Sequence, residues 1–392
     1  MTQTTHVTQS FAASEQALHD EAIRDTGLDD FGDPKYLDGL RRVLDAYDRE
    51  AKFHDAGRAM ARVALVQFLK TRLRSQQLMK QHAAARRHEI RRPVIVLGLV
   101  RTGSTALHHL LGQDPNIQVL EYWLAAHPQP RPPRADWEAR AEFQESAAEI
   151  DAMYSADPSL KAIHLMMVDG PEECRHLLAQ NFTDDFFEVN TTVPSYTRWY
   201  ESTHHAATYR RHRELLQLVG STSPEKRWIL KYPVHMKHLA AVLEVYPDAC
   251  IVQTHRDPTR VLSSYISLIA GFRALFERDI DRAAIAREQV EVWASGADRA
   301  IAVRRQHDPA QFFDLQFREF VANPIGAVRR MYERFGLTLT PAAEARMRTW
   351  QASNPEGKHG KHQHSMEDVG VTRDAVLDRF REYMRYFDMT PE

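Results

Sequence analysis

A short β-branched run, Pro93-Val-Ile-Val-Leu97, breaks directly into Gly98-Leu-Val-Arg-Thr-Gly-Ser-Thr105, and this junction constrains the fold more than any other stretch of the chain. Apolar residues without polar alternation suit a strand buried on both faces, as in parallel sheets. Pro93 has no N–H to give to a ladder, so it opens the strand rather than sitting within it. Glycines let the backbone turn tightly and approach a ligand closely. The residues from Gly103 to about Gly112 then read as helix. A strand, a tight loop and a helix in that order aim the helix N-terminal N–H groups, and the helix dipole, at an anion held in the loop.

The rest of the chain repeats the signal more weakly. Residues 228–231 and 250–254 are short apolar runs separated by about a dozen helix-like residues, spacing that favours parallel pairing. Residues 312–316 make a fourth strand candidate. Before residue 91 the pattern is helical. Leu40, Val43, Leu44 and Tyr47 recur at spacings of three and four, as do Met60, Val63, Ala64 and Phe68. We therefore expect a helical N-terminal extension over 1–90, frayed to about residue 12, packed on a main domain over 91–392. A proline-rich stretch, His127-Pro-Gln-Pro-Arg-Pro-Pro133, precedes an Ala/Glu-rich helix over about 135–153. Pro171-Glu-Glu-Cys174 reads as the start of another helix, with its acids near the positive end.

Lys and Arg total 51 and Asp and Glu 53, a net charge of −2. That balance gives no support for a nucleic-acid partner. Two cysteines, Cys174 and Cys250, do not make a disulfide framework. No run approaches the ~18 apolar residues that span a bilayer, and the first residues do not read as a secretory signal. The expectation is a cytoplasmic protein without a transmembrane segment, with a homo-oligomer possible.

The loop after the first strand carries the chemistry. A nucleoside-triphosphate loop reads G-x-x-x-x-G-K-[ST]. Here Gly98 and Gly103 keep the spacing, but Ser104 stands in place of the lysine and the cation has moved to Arg101. Thr102, Ser104 and Thr105 add hydroxyl donors. Arg101-Thr-Gly-Ser-Thr105 resembles the 5′-phosphosulfate loop of sulfotransferases that use 3′-phosphoadenosine-5′-phosphosulfate (PAPS). The resemblance implies a P-loop-like three-layer α/β/α fold with a short central parallel sheet, sulfuryl transfer to a hydroxyl acceptor, PAPS as co-substrate and no metal.

Two further motifs match that family. Thr254-His-Arg-Asp-Pro258 follows a strand signal, and Ser264 lies eight residues after Arg256. An arginine fork and a hydroxyl suit a phosphate monoester, and the resemblance assigns both to the donor's 3′-phosphate. A late basic loop supplies Lys358, His359, Gly360, Lys361 and His362, which the resemblance places over the same phosphate. His359, His362 and His364 also admit a metal reading, but no Cys or Asp pattern completes it. Together with Pro171-Glu-Glu-Cys174 these segments resemble a bacterial branch with a helical N-terminal extension, from about residue 28 to residue 387.

Two departures concern the acceptor side. Lys231-Tyr-Pro233 stands where many relatives have Lys-Ser-Pro, and Trp123 is followed by Leu124 where relatives often carry Trp-Glu. The general base has several candidates. They are His164, in a setting like that of the cytosolic enzymes' base; Glu172 and its neighbour Glu173; Glu121, after the loop helix; and, more weakly, His235. Lys231 suits the leaving group or the acceptor. Tyr196, Trp199, Tyr200, Tyr265 and Phe272 are candidates for an apolar acceptor pocket. The acceptor is open among small-molecule, lipid and glycan hydroxyls. The rival readings are a P-loop nucleotide kinase or phosphotransferase, and a non-catalytic nucleotide-binding regulator.

Overall fold

A computed structural model describes residues 10–156, 158, 161, 165–354 and 370–391. Its centre is a five-stranded sheet, β1 (Val94–Gly98), β2 (Ile117–Gln118), β3 (Arg227–Lys231), β4 (Cys250–His255) and β5 (Phe312–Gln316), in the order β2-β3-β1-β4-β5. Every pairing is parallel. The four expected strands form at or within two residues of their expected bounds, and Pro93 stands just before β1 as its missing N–H requires. The runs at 228–231 and 250–254 are parallel but not adjacent, because β1 lies between them. The edge strand β2 has two residues, too few for any periodic signal.

Side chains alternate across the sheet and define two apolar layers. Ile95, Leu97, Leu230 and Ile251 face one cluster; Val94, Val96, Ile229 and Val252 face the other. The second layer is covered by α4 (Ser104–Leu111), through Leu107, Leu110 and Leu111, and by the helix Pro324–Phe335. The first is covered by the helices Pro258–Ala274 and Arg282–Arg304 and by the N-terminal helices. The result is a three-layer α/β/α sandwich with a parallel centre.

The N-terminal region forms α1 (Glu15–Thr26), α2 (Tyr36–Arg49) and α3 (Asp55–Gln81). Leu40, Val43, Leu44 and Tyr47 of α2 are buried as expected. In α3 the expected stripe is displaced. Met60 is 44% and Val63 66% exposed, and the buried face is Ala61, Leu65, Leu69 and Leu73, one position round the helix. Both stripes have helical spacing in this long helix; tertiary contact selects the one rich in leucine. Arg72 lies on the same inner side, 1% exposed. Its guanidinium donates to the carbonyls of Phe31, Asp33 and Gln180 and to Asn181 Oδ1, so the cation is satisfied internally.

One helix start is corrected. Pro171-Glu-Glu-Cys174 is not a first turn: the helix runs Arg175–Ala179. Residues 171–173 instead lie beside the 120–122 segment, with a Glu121–Pro171 bridge and a Glu172 N–H to Leu120 carbonyl bond of 2.7 Å.

Candidate active site

The site grows from the carboxyl ends of β1 and β4, adjacent strands whose connections leave toward opposite sides of the sheet. Crevices at such points are where open α/β sheets bind ligands. After β1 the backbone is unusual at three positions. Gly98 has φ 138°, and a Cβ there would lie 2.3 Å from the Thr254 carbonyl oxygen. Gly103 has φ 82°, and a Cβ would meet the Phe317 ring at 3.1 Å. Arg101 has φ 61°, a left-handed conformation that costs a side-chain-bearing residue of order 1–3 kcal/mol and clusters at functional sites.

That conformation is held from below. The Thr102 hydroxyl, 1% exposed, donates to the Leu99 carbonyl at 2.8 Å and meets the Thr254 hydroxyl at 2.6 Å. Thr102 therefore braces the loop against β4, and its hydroxyl is occupied there. Gly103 precedes α4, which begins at Ser104, so the N–H groups of 103–105 open the helix toward the crevice.

The second junction sits against the first. Arg256 follows β4 and donates from Nη1 to the Arg101 carbonyl at 3.5 Å, with its guanidinium 4.1 Å from the centre of the Phe317 ring. Asp257 caps the following helix through Thr259 N–H at 2.7 Å, and Ser264, half-buried, lies two turns along it. Burial first, and the Arg256 charge second, depress the Arg101 pKa from its ordinary value. Two guanidiniums held together at a helix N-terminus form a cradle for a multiply charged anion. No local pattern singles out Phe317, whose ring stands against both the turn glycine and Arg256; only the meeting of β5 with the loop reveals it.

Lys231 ends β3 at 2% exposure. Its Nζ donates to the Thr105 hydroxyl at 2.9 Å and pairs with Glu173. Glu172, its neighbour, is buried and accepts the Glu173 N–H at 2.8 Å. Glu121 is taken by Arg131 (2.9 Å), and burial still raises its pKa against that partner. His235 is buried with Nδ1 on the Tyr209 hydroxyl at 2.8 Å, away from the loop. Tyr196 and Tyr200 are packed core at 1% and 2% exposure, so neither lines an open acceptor pocket. His164 and Lys358, His359, Gly360, Lys361 and His362 lie outside the described residues. Among the described residues no group of His, Cys, Asp and Glu gathers as a metal site, and no helix is long and apolar enough to cross a membrane.

These junctions define a parallel α/β protein that sets two arginines and a helix N-terminus at adjacent strand ends. Residues 93–341, well over half of the chain, match the model of the sulfotransferase family. The chain belongs to that family. It is similar to the sulfotransferase STF1 of Mycobacterium tuberculosis, with 37% identity over 95% of this chain and 100% of that one and a TM-score of 0.87. It is similar also to the sulfotransferase STF9 of Mycobacterium avium, with 27% identity over 96% of this chain and 97% of that one and a TM-score of 0.89. Among curated relatives, the omega-hydroxy-beta-dihydromenaquinone-9 sulfotransferase Stf3 of Mycobacterium bovis is 26% identical over 161 residues. That match covers 40% of this chain and spans 41% of the relative's length.

Proposed function

We propose that the protein transfers a sulfuryl group from PAPS to the hydroxyl of an acceptor, in line, releasing adenosine 3′,5′-bisphosphate. The observation that supports this reading is the 3.5 Å contact from Arg256 Nη1 to the Arg101 carbonyl, which holds the two strand-end junctions against each other. The glycine positions fit the same ligand, since a Cβ at 98 or 103 would crowd the turn that faces it.

Arg101 and the N–H groups of 103–105 would hold the 5′-phosphosulfate, with Ser104 and Thr105 donating hydroxyls. Arg256 and Ser264 would hold the 3′-phosphate, closed over by Lys358, His359, Gly360, Lys361 and His362. In the reaction an acceptor O–S bond forms, the S–O bond to the 5′-phosphate breaks, and the acceptor proton leaves to a base. As in phosphoryl transfer, positioning and charge stabilisation carry most of the catalysis. Lys231, bonded to Thr105, supports the charge on the leaving oxygen. Glu173 pairs with Lys231, which reaches Thr105, and on that contact we assign it the base role ahead of Glu172, Glu121 and His164. The Mycobacterium bovis relative, an omega-hydroxy-beta-dihydromenaquinone-9 sulfotransferase, favours a hydroxyl on a lipid-like body over a glycan. No divalent metal takes part in this scheme.

The test is turnover of [35S]PAPS with a library of hydroxyl acceptors, read by mass spectrometry, beside calorimetry with adenosine 3′,5′-bisphosphate. Tight bisphosphate binding and a sulfated product that survives chelator are expected. Binding of ATP with Mg2+ in preference to the bisphosphate would defeat the reading.

A further inference from the structure

The ladder between β4 and β5 ends on the pair His255 and Gln316. One residue further, Arg256 and Phe317 face each other, with the guanidinium 4.1 Å from the centre of the ring. The bond from Arg256 Nη1 to the Arg101 carbonyl is 3.5 Å, too long to fix the fork by itself. Arg101 and Arg256 also carry like charge; burial first, and Arg256 second, depress the Arg101 pKa. Two cations so placed need a brace that does not depend on the anion they would hold.

The C-terminal helices Arg373–Arg379 and Arg381–Tyr386 supply one. The Tyr383 hydroxyl meets His255 Nδ1 at 2.8 Å, and the Phe387 ring lies 4.1 Å from the His255 ring. Gln316 Nε2 donates to the Phe387 carbonyl at 3.4 Å. Arg373 Nη2 stands 3.9 Å from Asp257 Oδ2. So His255 and Asp257, which flank Arg256, and Gln316, which precedes Phe317, all touch one segment. That segment is itself anchored. Val376, Phe380 and Tyr383 are buried, and Arg379 pairs with Glu291 at 2.8 Å and Asp298 at 2.9 Å on the helix Arg282–Arg304. Arg304, the last residue of that helix, holds Asp314 through bonds of 2.8 and 2.7 Å, and Asp314 Oδ1 lies 2.9 Å from His255 Nε2. A carboxylate accepts, so Nε2 carries the proton and Nδ1 accepts from Tyr383. Apolar packing of similar volume often stabilises a fold as well as such a network does. What the network adds is one defined ring orientation at the strand end.

We propose that Tyr383 is a positioning residue: acting through His255, it sets Arg256 for the 3′-phosphate of the donor, so that the C-terminal helices determine how well this phosphate is recognised. The inference rests on the sulfotransfer reading. His255 and Arg256 share a peptide bond, so a His255 ring that turns lets the strand end, and the fork launched from it, move. A buried acceptor without a donor is costly, and Tyr383 provides that donor to His255 Nδ1. The Arg101 loop has its own brace in Thr102 and Thr254, so the 5′ end of the nucleotide does not depend on Tyr383.

Tyr383→Phe removes the hydroxyl and keeps the ring. Calorimetry with adenosine 3′,5′-bisphosphate and with 5′-AMP compares wild type, Tyr383→Phe, Arg256→Ala and the double variant. Tyr383→Phe is expected to weaken the bisphosphate about fivefold and 5′-AMP by less than about twofold, a change of the size that coupling through neighbouring residues carries. In the Arg256→Ala background the same substitution should move the ratio of the two affinities by less than about 1.5-fold, because the residue it acts through is gone. A purely structural role for Tyr383 would weaken both nucleotides alike and add to the effect of Arg256→Ala. Absence of bisphosphate binding in wild type sinks the sulfotransfer reading. With that binding intact, an unchanged ratio in Tyr383→Phe, equal losses for both nucleotides, or a further loss of ratio in the double variant overturns the role of Tyr383. Should Tyr383→Phe not fold, Gln316→Met, which loses the 3.4 Å bond to the Phe387 carbonyl, tests the same C-terminal brace by the same outcomes.

Discussion

Lys231 donates to the Thr105 hydroxyl at 2.9 Å while its ammonium pairs with Glu173, so one buried cation joins the last hydroxyl of the loop to the acceptor-side carboxylate. In the proposed scheme Thr105 belongs to the donor loop and Glu173 to the acceptor side. A β3 strand end that reaches both ties the geometry of the donor to that of the base.

Replacing Lys231 by Met keeps the volume and removes the charge. Turnover is expected to fall by about 10²–10³, the usual loss on removing one preorganised donor. Bisphosphate affinity should stay within about threefold, since positions 101 and 256 are untouched. Glu173 is then left without its cation, which destabilises the fold by roughly 3–5 kcal/mol. Adding Glu173→Gln relieves that loss in urea denaturation but leaves turnover low. A double variant with restored activity contradicts the scheme.

Arg101 and Arg256 are expected to act on different ends of the nucleotide. Truncating either to Ala costs on the order of 2–5 kcal/mol in binding of adenosine 3′,5′-bisphosphate. The two separate with 5′-AMP, which lacks the 3′-phosphate. Arg256→Ala should bind 5′-AMP like wild type and lose the preference for the bisphosphate. Arg101→Ala should weaken both ligands. Calorimetry with the two nucleotides decides, and equal losses for both ligands in Arg256→Ala would remove its assignment to the 3′ end.

The sequence made the sheet legible because buried parallel strands are continuous apolar runs, and those at 93–97, 228–231, 250–254 and 312–316 had no competing pattern. The two strand-to-helix junctions were legible because glycines at 98 and 103 mark turns that a Cβ would crowd, and because an arginine follows each strand end. The sequence did not reveal which stripe of α3 is buried, since Met60 and Leu65 lie on stripes of equal periodicity. It did not reveal Phe317 either. Its importance lies in what meets it from distant segments, and no local spacing encodes that. Glu121 and Glu172 were legible as acids but not as engaged ones; Arg131 and the Glu173 N–H take them up only in three dimensions.

Gly103 tests the loop without altering charge. Alanine there must adopt φ 82° and push its Cβ against the Phe317 ring at 3.1 Å. The left-handed conformation costs a non-glycine residue about 1–2 kcal/mol, so bisphosphate affinity should fall about tenfold as the turn relaxes. Gly103→Ala/Phe317→Leu should recover part of the loss by opening space, though not the backbone term. Wild-type affinity in Gly103→Ala would mean that the turn does not face the ligand.

His108 provides a pH test on α4. Burial above all, then His109 and Lys231, push its pKa down to about 3 from 6.5. The unfolded chain takes up a proton near pH 6.5 while the folded chain refuses it until about 3, so the unfolded state binds more protons across that window. His108 therefore leaves stability untouched above about pH 6.5 and subtracts from it as pH falls. At pH 5 the subtraction is roughly 2 kcal/mol, from a gap of about 1.5 pH units at 1.36 kcal/mol each. His108→Asn has no such proton to bind. It should be less stable than wild type at pH 7.5, through lost packing on a residue 2% exposed, and should close about 2 kcal/mol of that gap at pH 5. Urea denaturation of both proteins at the two pH values measures the difference. A deficit that is constant, or that widens on acidification, would show that His108 takes up its proton in the folded state, adding a third positive charge beside Lys231 and the loop.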